Sequence, residues 1–97
     1  MQESTVYQRR TLVASSVGLH ARPAGLVAKS AAGQPAKVKI AKVSDGVPGD
    51  PVDAASVLGL MTLGAGFGDE VELSAEGDQA RTSVDALAEL IARDLDA

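Results

Sequence analysis

The sequence holds a single histidine, His20, and its neighbours give it a chemistry. Arg22 follows two positions later, and then Pro23, a residue suited to the first turn of an α-helix. A helix starting there turns its unpaired N–H groups and the positive end of its dipole back toward the imidazole. A neutral imidazole is a nucleophile near neutral pH and can take a phosphoryl group. The Arg22 guanidinium and the helix N-terminus can then hold the phosphate oxygens. Phosphoryl transfer needs positioning and charge stabilisation more than reactive side chains. A histidine with no second acid or base beside it in sequence can hold such a group without hydrolysing it. Without such neighbours, a lone histidine is more often a surface residue or a helix cap.

The totals exclude several other chemistries. Ninety-seven residues make one domain, 1–97, with 45% apolar residues to fill a small core. Only Tyr7 and Phe67 are aromatic, so that core must be aliphatic. There is no cysteine, and one histidine is too few for an ordinary zinc site, so neither a disulfide framework nor a metal centre is expected. No cofactor is called for. The net charge of −4 argues against a nucleic-acid binder, although Arg22 and Lys29 can make a local basic spot. No apolar run reaches the length of a membrane span and no signal peptide is recognisable, which points to a cytoplasmic protein with no membrane insertion, expected to be a monomer.

The elements that must position His20 follow from periodicity. Residues 1–6 are polar and expected to fray. Residues 7–14 form a strand with Tyr7, Arg9, Thr11 and Val13 on one face. The spacing of Ala24, Val27, Ala28 and Ala31 predicts a helix over 21–32, stopped by Gly33 and Pro35. Gly25 inside that helix costs roughly 1 kcal/mol relative to alanine. A bare spot for a partner's close approach would explain it, as would simple drift. Residues 36–43 alternate cleanly as a strand, with Val38 and Ile40 inward. The segment 44–51, rich in Gly, Pro and Asp, reads as a roomy hairpin loop before a short return strand at Val52. Residues 54–63 form a short helix that Asp53 or Ser56 can cap, apolar nearly all round, which favours an exposed apolar patch. Gly64 to Gly68 follows a helix and precedes a strand, the reverse of a phosphate-binding loop, so these glycines stop and turn the chain. A strand over 68–75 and a last helix, capped by Asp78 and running to about Leu95, complete the order βαββαβα. Glu89 and Arg93 on that helix are spaced to pair. The result is an α+β, open-faced two-layer sandwich: a four-stranded antiparallel sheet with three helices on one face.

Two motifs resemble those of a known family. GLHARPAG at residues 18–25 and AASVLGLMTLG around the second helix are similar to the active-site and regulatory-serine segments of HPr, the phosphohistidine carrier of the bacterial sugar phosphotransferase system. GDEVELSAEG at 68–77 is similar to the family's last strand and turn, so the resemblance spans nearly the whole chain. It implies a phosphocarrier rather than an independent enzyme. His20 would be phosphorylated on Nδ1 by enzyme I and would donate to the A domain of a sugar permease, with Arg22 as the active-site arginine. It also implies a docking surface of Ala21, Gly25 and Lys29 on the first helix with Val57, Leu58 and Met61 on the second. Ser56 would be the target of an HPr serine kinase. Val17 departs from the small polar residue common before the glycine. The alternatives are a regulatory interaction protein of the same fold, or a carrier for a nitrogen or dihydroxyacetone branch.

Overall fold

The computed structural model describes residues 5–95. The order along the chain is β1 (Val6–Leu12), α1 (Ala21–Ala32), β2 (Lys39–Ser44), β3 (Val47–Pro48), β4 (Val52–Asp53), α2 (Val57–Thr62), β5 (Glu70–Glu76) and α3 (Ala80–Ile91). Of the start expected to fray, residues 1–4 lie outside the described residues. Thr5 and Val6 are held: Gly77 N–H donates to Thr5 O at 2.9 Å, and Val6 pairs with Glu76.

The sheet is antiparallel throughout, in the order β1-β5-β2, with β3 and β4 sharing the far side of β2. Its register sets Ile40 beside Leu73, both fully buried, while Arg9 pairs with Leu73 from the other side and Thr11 and Lys42 flank Val71. The fourth place of the expected sheet is thus filled by two two-residue strands. Pro48 and Pro51 supply no N–H, which breaks the ladder there. Between them Gly49 N–H still donates to Lys42 O at 2.8 Å. The roomy loop expected at 44–51 is also tighter than its composition suggests. Asp45 (φ 53°) and Gly46 (φ 79°) form a two-residue turn of the kind an Asp-Gly pair favours in hairpins.

The helices cover one face. α3 packs on β1 and β5, while α1 contacts both α2 and α3. α1 buries Ala24, Val27, Ala28 and Ala31, the expected stripe, and Pro23 with them. Its end is tightened by bonds from Gly33 N–H to Ser30 O and Gln34 N–H to Ala31 O, both 3.1 Å. Gly33 stays right-handed at φ −90°, so no left-handed stop is used. The core is aliphatic, with Ile40, Leu60, Leu73, Leu87 and Ile91 its largest fully buried side chains.

α3 differs from expectation at both ends. Asp78 lies inside a turn closed by Ala80 N–H to Gly77 O, which leaves Gln79 as the N-cap residue, without a side-chain cap bond. The helix stops at Ile91, and the following chain folds back: Leu95 N–H donates to the buried Ser15 Oγ at 2.9 Å. Glu89 lies 3.7 Å from Arg9 of β1 instead of pairing with Arg93. Arg9 also meets Asp85 at 3.1 Å, beside a 2.8 Å bond from the Tyr7 hydroxyl. That hydroxyl, and then Arg9, hold the Asp85 carboxyl below its ordinary pKa. Ser83, fully buried on α3, accepts from Ala36 N–H at 3.1 Å and so ties the chain between α1 and β2 to the core.

Candidate functional site

The site is assembled by two loops that meet at the start of α1. The first leaves β1 through buried Val13 and turns at 15–18, where Gly18 N–H donates to Ser15 O at 2.9 Å. Gly18 has φ 73°, and a Cβ there would lie 2.5 Å from Ala65 O, so only glycine fits. The second loop runs from Gly64 to Asp69. The two are joined by bonds from Leu19 N–H to Ala65 O at 2.9 Å and from Gly68 N–H to Val13 O at 2.8 Å. Leu19 is driven into the core, only 2% exposed, which leaves the next residue facing outward.

That next residue is His20. It is the N-cap residue of α1, with extended backbone (φ −141°, ψ 164°), an exposed side chain and no side-chain cap bond. The first helical bond runs from Ala24 N–H to His20 O at 3.4 Å. Pro23 has no N–H, so Ala21 and Arg22 carry the two amides of the first turn that helix geometry leaves without an intrahelical partner. Ala21 is left-handed at φ 48°, a conformation that costs an L-residue roughly 1–2 kcal/mol. No acidic residue sits in the first turn of α1 to occupy its positive end. An exposed imidazole at an uncapped helix tip is chemically a nucleophile beside an anion-binding position.

Arg22 is exposed at the second helical position, and its side chain makes no hydrogen bond or ion pair among the described residues. It is therefore not committed elsewhere. Ala21 and Lys29 are exposed on the outer face of α1, and a Cβ added at half-buried Gly25 would meet nothing within 4 Å. On α2, Val57 and Leu58 are exposed while Met61 is half-buried against the core. Met61 and His20 line one shallow depression of about 210 Å³ with Val17, Leu19, Gly64, Ala65 and Gly66. The chain thus brings His20 and Met61 together, and α1 and α2 into contact. Ser56 is the N-cap residue of α2, its Oγ accepting from Gly59 N–H at 3.0 Å, while Asp53 Oδ1 accepts from Ala55 N–H at 2.9 Å. Both expected capping residues therefore act, each on a different turn.

A family model described as "PTS HPr component phosphorylation site" matches residues 7–93. The chain belongs to the HPr family. It is 38% identical over 89 residues to the phosphocarrier protein HPr of Streptomyces coelicolor, covering 92% of this chain and 91% of that protein. The crystal structure of HPr from Bacillus anthracis superposes with a TM-score of 0.77 at 35% identity, over 89% of this chain and 96% of that one. The solution structure of Crh, the Bacillus subtilis catabolite repression HPr, superposes with a TM-score of 0.62 at 31% identity, covering 92% of this chain and all of that one (100%). HPr proteins are phosphocarriers of the phosphotransferase system, so the chain takes its general role from its family. Among the described residues no helix is long and apolar enough to cross a membrane.

Two exposed apolar residues of the two loops that meet at α1 are absent from the residues expected at the site. Val17 lines the His20 depression and is 52% exposed. Phe67, the residue after Gly66, is 68% exposed. A signal for the latter was available: Gly-Phe-Gly-Asp has the glycine that a type II turn requires at its third position, which puts the aromatic at the apex.

Proposed function

We propose that this HPr-family chain relays phosphate through His20 in sugar uptake, taking the group from phosphorylated enzyme I and giving it to the A domain of a sugar permease, in the cytoplasm. A lone pair on an imidazole nitrogen attacks phosphorus, an N–P bond forms, and the bond to the donor breaks with its electron pair returning to the donor side chain. The Ala21 and Arg22 amides and the Arg22 guanidinium take the developing charge on the equatorial oxygens. Ala21, Gly25, Lys29, Val57, Leu58 and Met61 form the surface on which the partners seat. The observation that carries the reading is the exposed imidazole on an N-cap residue that makes no cap bond, with Arg22 uncommitted two residues on.

Ser56 is the candidate for regulation. A phosphate on it adds roughly −1.5 to −2 charges at a helix start, where the fold accepts them. The same charge stands next to Val57 and Leu58, where a partner's apolar surface would have to desolvate it. The likeness to Crh leaves a purely regulatory protein of this fold as the second reading.

Incubation with enzyme I and labelled phosphoenolpyruvate tests the relay. An acid-labile, base-stable label is expected on the wild type and absent from His20→Ala. Active enzyme I that leaves the wild type unlabelled removes the carrier reading and favours the regulatory one. The same assay with HPr serine kinase and ATP is expected to leave an acid-stable label that Ser56→Ala lacks, and an unlabelled wild type removes the role given to Ser56.

A further inference from the structure

We propose that Phe67 anchors the protein that delivers phosphate to His20, its ring entering an apolar pocket on that partner whose rim is acidic. The proposal rests on reading His20 as the phosphoryl acceptor. Phe67 is one of two aromatic residues in the chain, and the other, Tyr7, packs against the core. A large ring 68% exposed on a chain with an otherwise aliphatic core is an unspent apolar surface.

The ring is held out by a braced turn. Asp69 N–H donates to Gly66 O at 3.0 Å, closing a four-residue turn with Phe67 second and Gly68 third at φ 83°. Asp69 Oδ2 accepts in return from Gly66 N–H at 2.8 Å and lies 3.5 Å from Lys42 Nζ, which also donates to Gly64 O at 3.2 Å. The Gly66 N–H, and then Lys42, hold the Asp69 carboxyl below its ordinary pKa, so the brace is charged at neutral pH. An aromatic on a locked turn loses little freedom on binding, the property of an interface anchor.

The same turn is tied to the His20 loop through the Leu19–Ala65 and Gly68–Val13 bonds, and Gly66 itself lines the depression that holds His20. Val17, 52% exposed, lines the same depression, and Leu58 on α2 is 75% exposed. The charge of this surface selects its partner. No Asp or Glu occurs from Thr11 to Ser44 or from Ala54 to Gly68, which supply α1, α2 and the two site loops up to Asp69, and the Asp69 carboxylate is paired with Lys42. The outer face of α1 carries Arg22 and Lys29, so the net −4 of the chain resides elsewhere. A protein reaching His20 meets cations and apolar side chains, and its complement is an apolar pocket with carboxylates around it.

The test measures initial rates of His20 phosphorylation by enzyme I and phosphoenolpyruvate against carrier concentration. Phe67→Ala is expected to raise KM about ten-fold with kcat unchanged, and Phe67→Leu to restore part of the loss. Leu12→Ala, which removes a comparably exposed side chain from β1, leaves KM unchanged. Phosphoramidate, a small phosphoryl donor that needs no docking, labels wild type and Phe67→Ala at equal rates. An unchanged KM in Phe67→Ala overturns the anchor, as does slower labelling by phosphoramidate, which would make the ring part of the acceptor site. Self-association of the wild type that Phe67→Ala abolishes assigns the ring to a second copy of this chain and also overturns it. A wild type labelled by neither donor removes the His20 reading itself.

Discussion

Two helices of this HPr-family protein start in opposite ways. At α2, Ser56 does what a cap residue ordinarily does, and its Oγ satisfies the Gly59 amide. At α1, the cap position is held by His20, whose side chain satisfies nothing, and Ala21 behind it is left-handed. The α2 start is closed and stabilises the fold. The α1 start is open, leaves its first amides without a side-chain cap, and is held in place by its neighbours instead. That work falls to Gly18, to buried Leu19 and to the bond between Leu19 N–H and Ala65 O. If the α1 start is the phosphate site proposed above, the lesson is that such a site withholds the ordinary cap and takes the lost order from elsewhere.

The comparison breaks most severely at Gly18. Gly18→Ala forces a left-handed alanine and drives its Cβ into the Ala65 carbonyl, a backbone atom that cannot swing aside. A loss of at least about 2 kcal/mol is expected in urea unfolding, from the conformational penalty and the displaced loop together, and the His20 labelling rate falls with it. A Gly18→Ala protein of wild-type stability and rate would mean that the loop junction does not support the α1 start. A smaller effect separates the two caps directly. Ser56→Ala removes a used cap and is expected to cost about 1 kcal/mol, whereas His20→Ala removes an unused one and stays within about 0.5 kcal/mol of wild type. Equal losses in the two variants, read by the same unfolding curve, would erase the distinction.

The α2 start was legible in the sequence and the α1 start only in part. Serine before an apolar run is a local signal, and the chemistry of Ser56 follows from its own type. The helix over 21–32 and the buried stripe of α1 were equally plain, because period 3.6 is a property of the segment alone. What the sequence could not disclose were arrangements set by distant partners. Gly18 needs its freedom because Ala65 lies against it, 47 positions along the chain. Asp78 lost the α3 cap to Gln79 because a turn from Gly77 to Ala80 took it into its interior. In the sequence Phe67 is only part of a glycine turn, and its turn is held by a brace from Asp69 and Lys42. In the sequence Val17 is only a departure from the family pattern, and its place beside Met61 in the His20 depression is a tertiary fact.

The finest test concerns Ala21, where the open start carries its own strain. Ala21→Gly relieves an unfavourable left-handed conformation worth roughly 1–2 kcal/mol, and restores to the unfolded chain freedom worth about 0.4–1 kcal/mol. These oppose, so thermal unfolding is expected to show a gain of between about 0 and 1.5 kcal/mol. Function moves the other way. Glycine at this position lets the His20–Arg22 backbone sample several orientations, so the first amides no longer meet the phosphate in one fixed geometry, and labelling by enzyme I slows. Stability and rate would then separate at one residue, as expected of strain that holds a site in place. If both rise together, the left-handed alanine is only a defect in the fold, and the open start owes its geometry to Gly18 and Leu19 alone.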